Sequence, residues 1–109
     1  MFVRLYTGPD GQSHFEDYTL PPGTGSLPLE KGPGVILRRY NPGDYSDWHP
    51  VPRRLYMVML QGGVDIGVQD GTVRRFGPGD VVLGEDLTEK GHWSRAIGHR
   101  VAALIYLDE

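Results

Sequence analysis

Glycine and proline punctuate this chain from end to end, falling between short apolar runs rather than in one low-complexity block. Proline removes a backbone donor and glycine opens left-handed backbone, so each cluster ends the element before it. With 16 glycines and 9 prolines, near a quarter of the residues act this way. Many short strands joined by turns, as in an all-β sandwich or barrel, satisfy that spacing. No window of ten or more residues carries a helical stripe with caps, and no fixed-period repeat is present, so almost no helix is expected.

A chain of 109 residues forms one domain with one core and a modest pocket. Residues 1–34 read as an N-terminal hairpin and an irregular Pro/Gly-rich arm, part of the same domain, and residues 35–109 as the barrel. The hairpin strands, Phe2 to Thr7 and Ser13 to Leu20, flank the turn "GPDG". The stretch "GVDIGVQDGTVRRFGPGD" alternates Val64, Ile66 and Val68 with polar or small residues, giving a strand with one dry face. Asp70-Gly71 then occupies the place of a two-residue type I′ hairpin turn. Two segments toward the C-terminus, "HWSRAI" and "RVAALIYL", read as separate strands with His99 in a loop between them.

Hydrophobic residues at 39% and charged residues at 23% exclude a disordered chain. A net charge of −3 offers nothing to recruit nucleic acid or an anionic membrane. No apolar run nears the roughly 18 residues of a membrane span, and "MFVR" opens no signal peptide, so a cytoplasmic location is expected. Without cysteine there are no disulfides and no thiolate chemistry; a metal would have to use His, Asp, Glu or neutral oxygen donors.

Four histidines carry the candidate chemistry. His14 and His99 read as surface residues. His49 and His92 each stand at a strand start beside a Gly/Pro-rich loop, where barrels open. From His49 the inward row continues through Val51, Leu55, Met57 and Met59, with Val64 and Ile66 from the following strand. Tyr56, Val58 and Leu60 fall on the opposite face, which is also apolar, so a second sheet or a partner subunit is expected to cover it. Of three arginine pairs, Arg38-Arg39, Arg53-Arg54 and Arg74-Arg75, Arg53 on the rim between His49 and Leu55 is the best candidate to clamp a carboxylate or enolate. Tyr40 joins the candidate ligand contacts, while Trp48 and Trp93, by alternation with the histidines, belong to the shell.

These spacings resemble those of the cupins, whose first motif is G-x5-H-x-H-x(3–4)-E-x6-G and second is G-x5-P-x-G-x2-H-x3-N. Gly43, His49 and Gly62 fit the first, and Gly71, the "GPGD" turn and Gly91-His92 fit the second loosely, over roughly Val35 to Leu107. The resemblance implies a double-stranded β-helix, or jelly-roll barrel, usually dimeric. Metal-bearing members use two histidines and a glutamate from the first motif and one histidine from the second. Here those places hold His49, Val51, Leu55 and His92, and the closing asparagine is Ala96.

A greasy barrel with two imidazoles suits a small organic ligand and proton transfer next to a carbonyl, of isomerase, lyase or cyclase type, without a cofactor. Two readings compete. One is a metal-dependent enzyme that rebuilds its site for zinc, manganese, iron or nickel from His49, His92 and Glu85 or Asp86. The other is a non-catalytic binding or sensory module.

Overall fold

The computed structural model describes residues 3–17, 23–26 and 34–107. The Pro/Gly-rich arm lies largely outside these residues, as do residues 18–20 of the expected second strand. Nine strands follow in order: β1 (Val3–Thr7), β2 (Ser13–Asp17), β3 (Gly25–Ser26), β4 (Val35–Tyr40), β5 (Tyr45–His49), β6 (Leu55–Gly67), β7 (Val73–Phe76), β8 (Val81–Gly84) and β9 (His92–Tyr106). No helix occurs among the described residues, and therefore none long and apolar enough to cross a membrane. The fold is all-β, and every strand pairing is antiparallel.

β6 and β9 form the spine and pair with each other along nearly their whole length. Each serves two half-sheets. The first half of β6 and the part of β9 from Arg100 onward join β3, β4 and β8. The second half of β6 and the start of β9 join β5 and β7. Glycine makes the changeover: Gly62 (φ 67°) sits where the β6 register shifts, and Gly98 (φ 64°) interrupts β9. A side chain at Gly62 would meet the carbonyl oxygens of His99 and Ile97 at 2.8 and 2.9 Å, so only glycine lets the two backbones lie that close.

This corrects the sequence reading. "HWSRAI" and "RVAALIYL" are one strand, and His99 lies exposed inside it rather than in a loop. A left-handed glycine inside a bulge looks, in sequence, like one that ends a strand.

The β6–β7 connection differs as well. Gly71 is left-handed (φ 92°), but Asp70 is not among the residues of positive φ, so the turn is not type I′. The Gly71 amide donates to the Val68 carbonyl (3.1 Å) and Val68 pairs with Thr72 (3.0 Å), the geometry of a three-residue loop closed by a glycine bulge. Hydrogen bonds from the Thr72 side chain and then from the Thr72 amide (2.8 Å) keep the Asp70 carboxyl below the usual range.

The core gathers Leu55, Met57 and Met59 from β6, Val64 further along it, Val51, and Ala102 from β9. The expected inward row is therefore real. Among the described residues the opposite face carries exposed apolar side chains: Tyr56 and Leu60, with Val81 and Leu83 of the neighbouring β8. Among the described residues, strands β1 and β2 contact each other and no other strand.

Candidate functional site

The two half-sheets enclose a cavity of about 580 Å³, within the usual range for small-molecule sites. The inner row of β9 reaches it through His92, Ser94, Arg100, Leu104 and Tyr106. Arg38 and Tyr40 come from β4, Leu55, Met57 and Ile66 from β6, and Val82 from β8.

His49 and His92 are brought together by the backbone ladder, in which they are direct partners across β5 and β9. Ser46 and His49, three apart, would point to opposite faces of a regular strand; the register shift between them lets both reach the cavity. His49 closes β5 rather than opening a strand, because Pro50 supplies no ladder donor and a turn follows. Close approach is also enforced at Gly91 (φ 69°), where a Cβ would run into the His49 and Pro50 backbone.

The imidazole centroids stand 4.8 Å apart, tilted by 51°. The His49 Nδ1 lies 2.7 Å from the Asp47 carbonyl oxygen, and the His92 Nδ1 lies 2.6 Å from an Asp86 carboxylate oxygen. Both oxygens only accept, so each Nδ1 carries the hydrogen, and Nε2 of the neutral ring keeps its lone pair. The loop before β9 is held to the His49 side as well, since the Val51 amide donates to the Asp86 carbonyl at 3.1 Å.

The remaining candidates divide. Val51, Leu55, Met57 and Tyr40 border the cavity. Met59 does not: it is 1% exposed and packs with Val64, also absent from the walls, against Ala102. Arg53 is exposed on the rim, its guanidinium 4.8 Å from the Tyr106 ring centre, and lines no part of the cavity. Trp48 and Trp93 stay in the shell, with Trp93 laid against Gly67 and the Lys90 ammonium over Trp48.

Both loop carboxylates expected as a third metal ligand already have partners. Glu85 accepts from the Arg54 Nε at 2.9 Å, and Asp86 is spent on His92. Asp44 accepts from the Thr24 hydroxyl (2.5 Å) and the Asn41 amide (2.8 Å), which hold its carboxyl below the ordinary range. Among the described residues no three His, Asp or Glu side chains converge. The donor set does not fit the metal that the resemblance implies, because the other two ligand places, Val51 and Leu55, are apolar core.

One functional candidate escaped the sequence reading. Arg100 borders the cavity, with only 6% of its surface exposed. The signal was present in "RVAALIYL": counted by twos, Arg100 leads the inward row Ala102, Leu104, Tyr106.

Similarity to solved structures bears on the fold. A cupin superfamily protein from Desulfitobacterium hafniense DCB-2 superposes with a TM-score of 0.57 at 18% identity, covering 96% of this chain and 99% of that one. The Cnp3 cupin domain of Schizosaccharomyces pombe gives 0.52 at 15%, covering 98% and 87%. KdgF from Halomonas sp. gives 0.52 at 20%, covering 74% and 76%. A scan of protein-family models and a search of curated proteins return no match. The chain has the cupin fold, a small jelly-roll barrel.

Proposed function

We propose that the barrel binds a small organic molecule and that His49 and His92 move a proton on it without a metal. The reading is carried by one observation: two imidazoles 4.8 Å apart on a cavity wall, each anchored through Nδ1. One neutral ring takes a proton from carbon next to a carbonyl through Nε2, while the other, protonated, returns one to oxygen or to a neighbouring carbon. Atoms and electrons balance within the substrate, so isomerisation, elimination and ring closure all fit. The test is deuterium wash-in next to the carbonyl of a panel of oxo and hydroxy acids in D₂O, followed by NMR. His49→Ala is expected to abolish exchange in a folded protein; an unchanged rate removes the proposal.

A metal-dependent alternative has one feature in its support, the Asp86 brace on His92 of the kind that orients metal-bound histidines, but the apolar Val51 and Leu55 at the other two ligand places leave it short of donors. About one equivalent of divalent metal per chain in protein purified without a histidine tag would favour that reading. Ligand-induced thermal shifts without any turnover would favour a binding or sensory module instead. The exposed apolar face around Tyr56, Leu60, Val81 and Leu83 supports a homodimer, which sedimentation would detect.

A further inference from the structure

Arg100 is a buried charged residue, and its Nε has no hydrogen-bond partner. Arg38 repeats the pattern on the adjacent strand: it borders the cavity and its buried Nε is likewise unpartnered. Register explains the grouping. Tyr40 is the direct partner of Arg100 and Arg38 that of Ala102, so both arginines and the tyrosine project from one face. Both guanidinium groups approach the Tyr40 ring, whose centre is 4.2 Å from that of Arg100 and 5.7 Å from that of Arg38.

Among the described residues no carboxylate pairs with either arginine. The two carboxylates bordering the cavity, Glu85 and Asp86, are engaged with Arg54 and His92. Burial pulls the Arg100 guanidinium below its ordinary value, with Tyr40 opposing and Arg38 adding to the fall. A buried charge without a partner is costly, and contact with an aromatic ring recovers only part of that cost. A guanidinium stays protonated regardless.

We infer that Arg38 and Arg100 recognise an anion inside the cavity, the carboxylate of a small organic acid. This rests on the reading of the cavity as a binding site and adds the chemical class of its occupant. Stacking on Tyr40 uses the guanidinium faces and leaves the N–H edges, which match a planar carboxylate in bidentate fashion. Leu55, Met57 and Leu104 provide apolar wall for a hydrocarbon body. The described residues contain no helix, hence no helix N-terminus of the kind that commonly cradles phosphate.

Calorimetric titration of the full chain tests this with straight-chain acids from acetate to octanoate and with benzoate. Each is paired with its uncharged amide, and phenyl phosphate and inorganic phosphate are included. The expected result is that at least one acid binds about tenfold or more tighter than its amide, the worth of a charge-assisted hydrogen bond. Arg100→Met and Arg38→Gln are expected to bring that acid down to amide level, and Arg53→Met to leave it unchanged. Without ligand, Arg100→Met is expected to raise Tm, because a buried charge gives way to an apolar side chain of similar length. Equal binding of acid and amide overturns the anion site and leaves the cavity reading standing. Phosphates binding more tightly than every acid overturn the carboxylate assignment. No binding anywhere in the panel overturns both readings. A lowered Tm for Arg100→Met with acid binding intact makes the arginine a structural stack and also overturns the inference.

Discussion

Met59 and Leu55 stand on the same face of β6, yet one is sealed and the other borders open space. Met59 lies opposite Ala102 in the ladder, and Val64 completes the contact; a long flexible side chain over a methyl group leaves no gap. Leu55 lies opposite Tyr106 and Gly84, near Val51, on the side where His49, His92 and Arg100 also project. Interiors close to crystal-like density when every surface is apolar. Where charged and hydrogen-bonding groups point inward, collapse would bury them without partners, and the hollow persists. The barrel therefore divides into a sealed region that holds it together and a region that borders the cavity.

Truncation at the sealed position should show the larger effect. Met59→Ala is expected to cost about 2–5 kcal/mol, read as a fall in the denaturant midpoint, because it opens a void with nothing to fill it. Leu55→Ala is expected to cost less in the same assay, since its side chain already borders a cavity. Equal losses would erase the distinction between the two regions.

Gly91→Ala comes next and acts at the open region. The new methyl group meets the His49 backbone at a left-handed position, so β5 must move off the start of β9. The expected cost is about 1–3 kcal/mol, with loss of the proton exchange proposed above. A stable variant of unaltered activity would show that the close approach of the two strands is dispensable.

Asp86→Asn should leave stability nearly untouched while loosening His92. Nitrogen-15 chemical shifts of the imidazoles are expected to report a mixed tautomer at His92 and an unchanged one at His49, whose Nδ1 is held by backbone. A change at both rings would mean that they are coupled more tightly than their separate anchors suggest.

The smallest effect belongs outside both regions. Asp65 accepts from Arg75 Nε at 2.9 Å and from Nη2 at 3.1 Å, and that pairing depresses its carboxyl below the ordinary value. A depressed folded value contributes stability above the unfolded pKa of about 3.9 and loses it as pH falls through the folded one. Asp65→Asn should therefore lower Tm slightly at pH 7 and flatten its decline in acid.

Much of this was legible in the residues. The Gly/Pro spacing foretold short strands, and the fit of Gly43, His49, Gly62 and His92 to two motifs foretold the barrel. The inward row from Leu55 to Met59 was visible from alternation alone. Continuity of β6 and β9 was not, because Gly62 and Gly98 look locally like turn residues and only the partner strand reveals a bulge. Which inward residues border space could not be read either, since period two separates faces but not sealed from open. Arg53 was favoured for its place beside His49, whereas Arg100, alone at the head of an apolar run, gave no pairing signal. Its position acquires meaning only once β4 brings Arg38 and Tyr40 alongside.

The pairing of β6 with β9 sets the order in which this molecule can assemble. Its nearest partners, Gly67 and Trp93, must already span β7, β8 and the loop before His92, and its farthest, Leu55 and Tyr106, enclose half the chain. Contacts so distant along the polypeptide are reached slowly, because the entropy of closing those loops is lost before the contacts form. Both the histidine and arginine pairs depend on β9, so neither is assembled until its long-range pairing has formed. A shortened chain ending before Arg100 would lack the cation pair altogether.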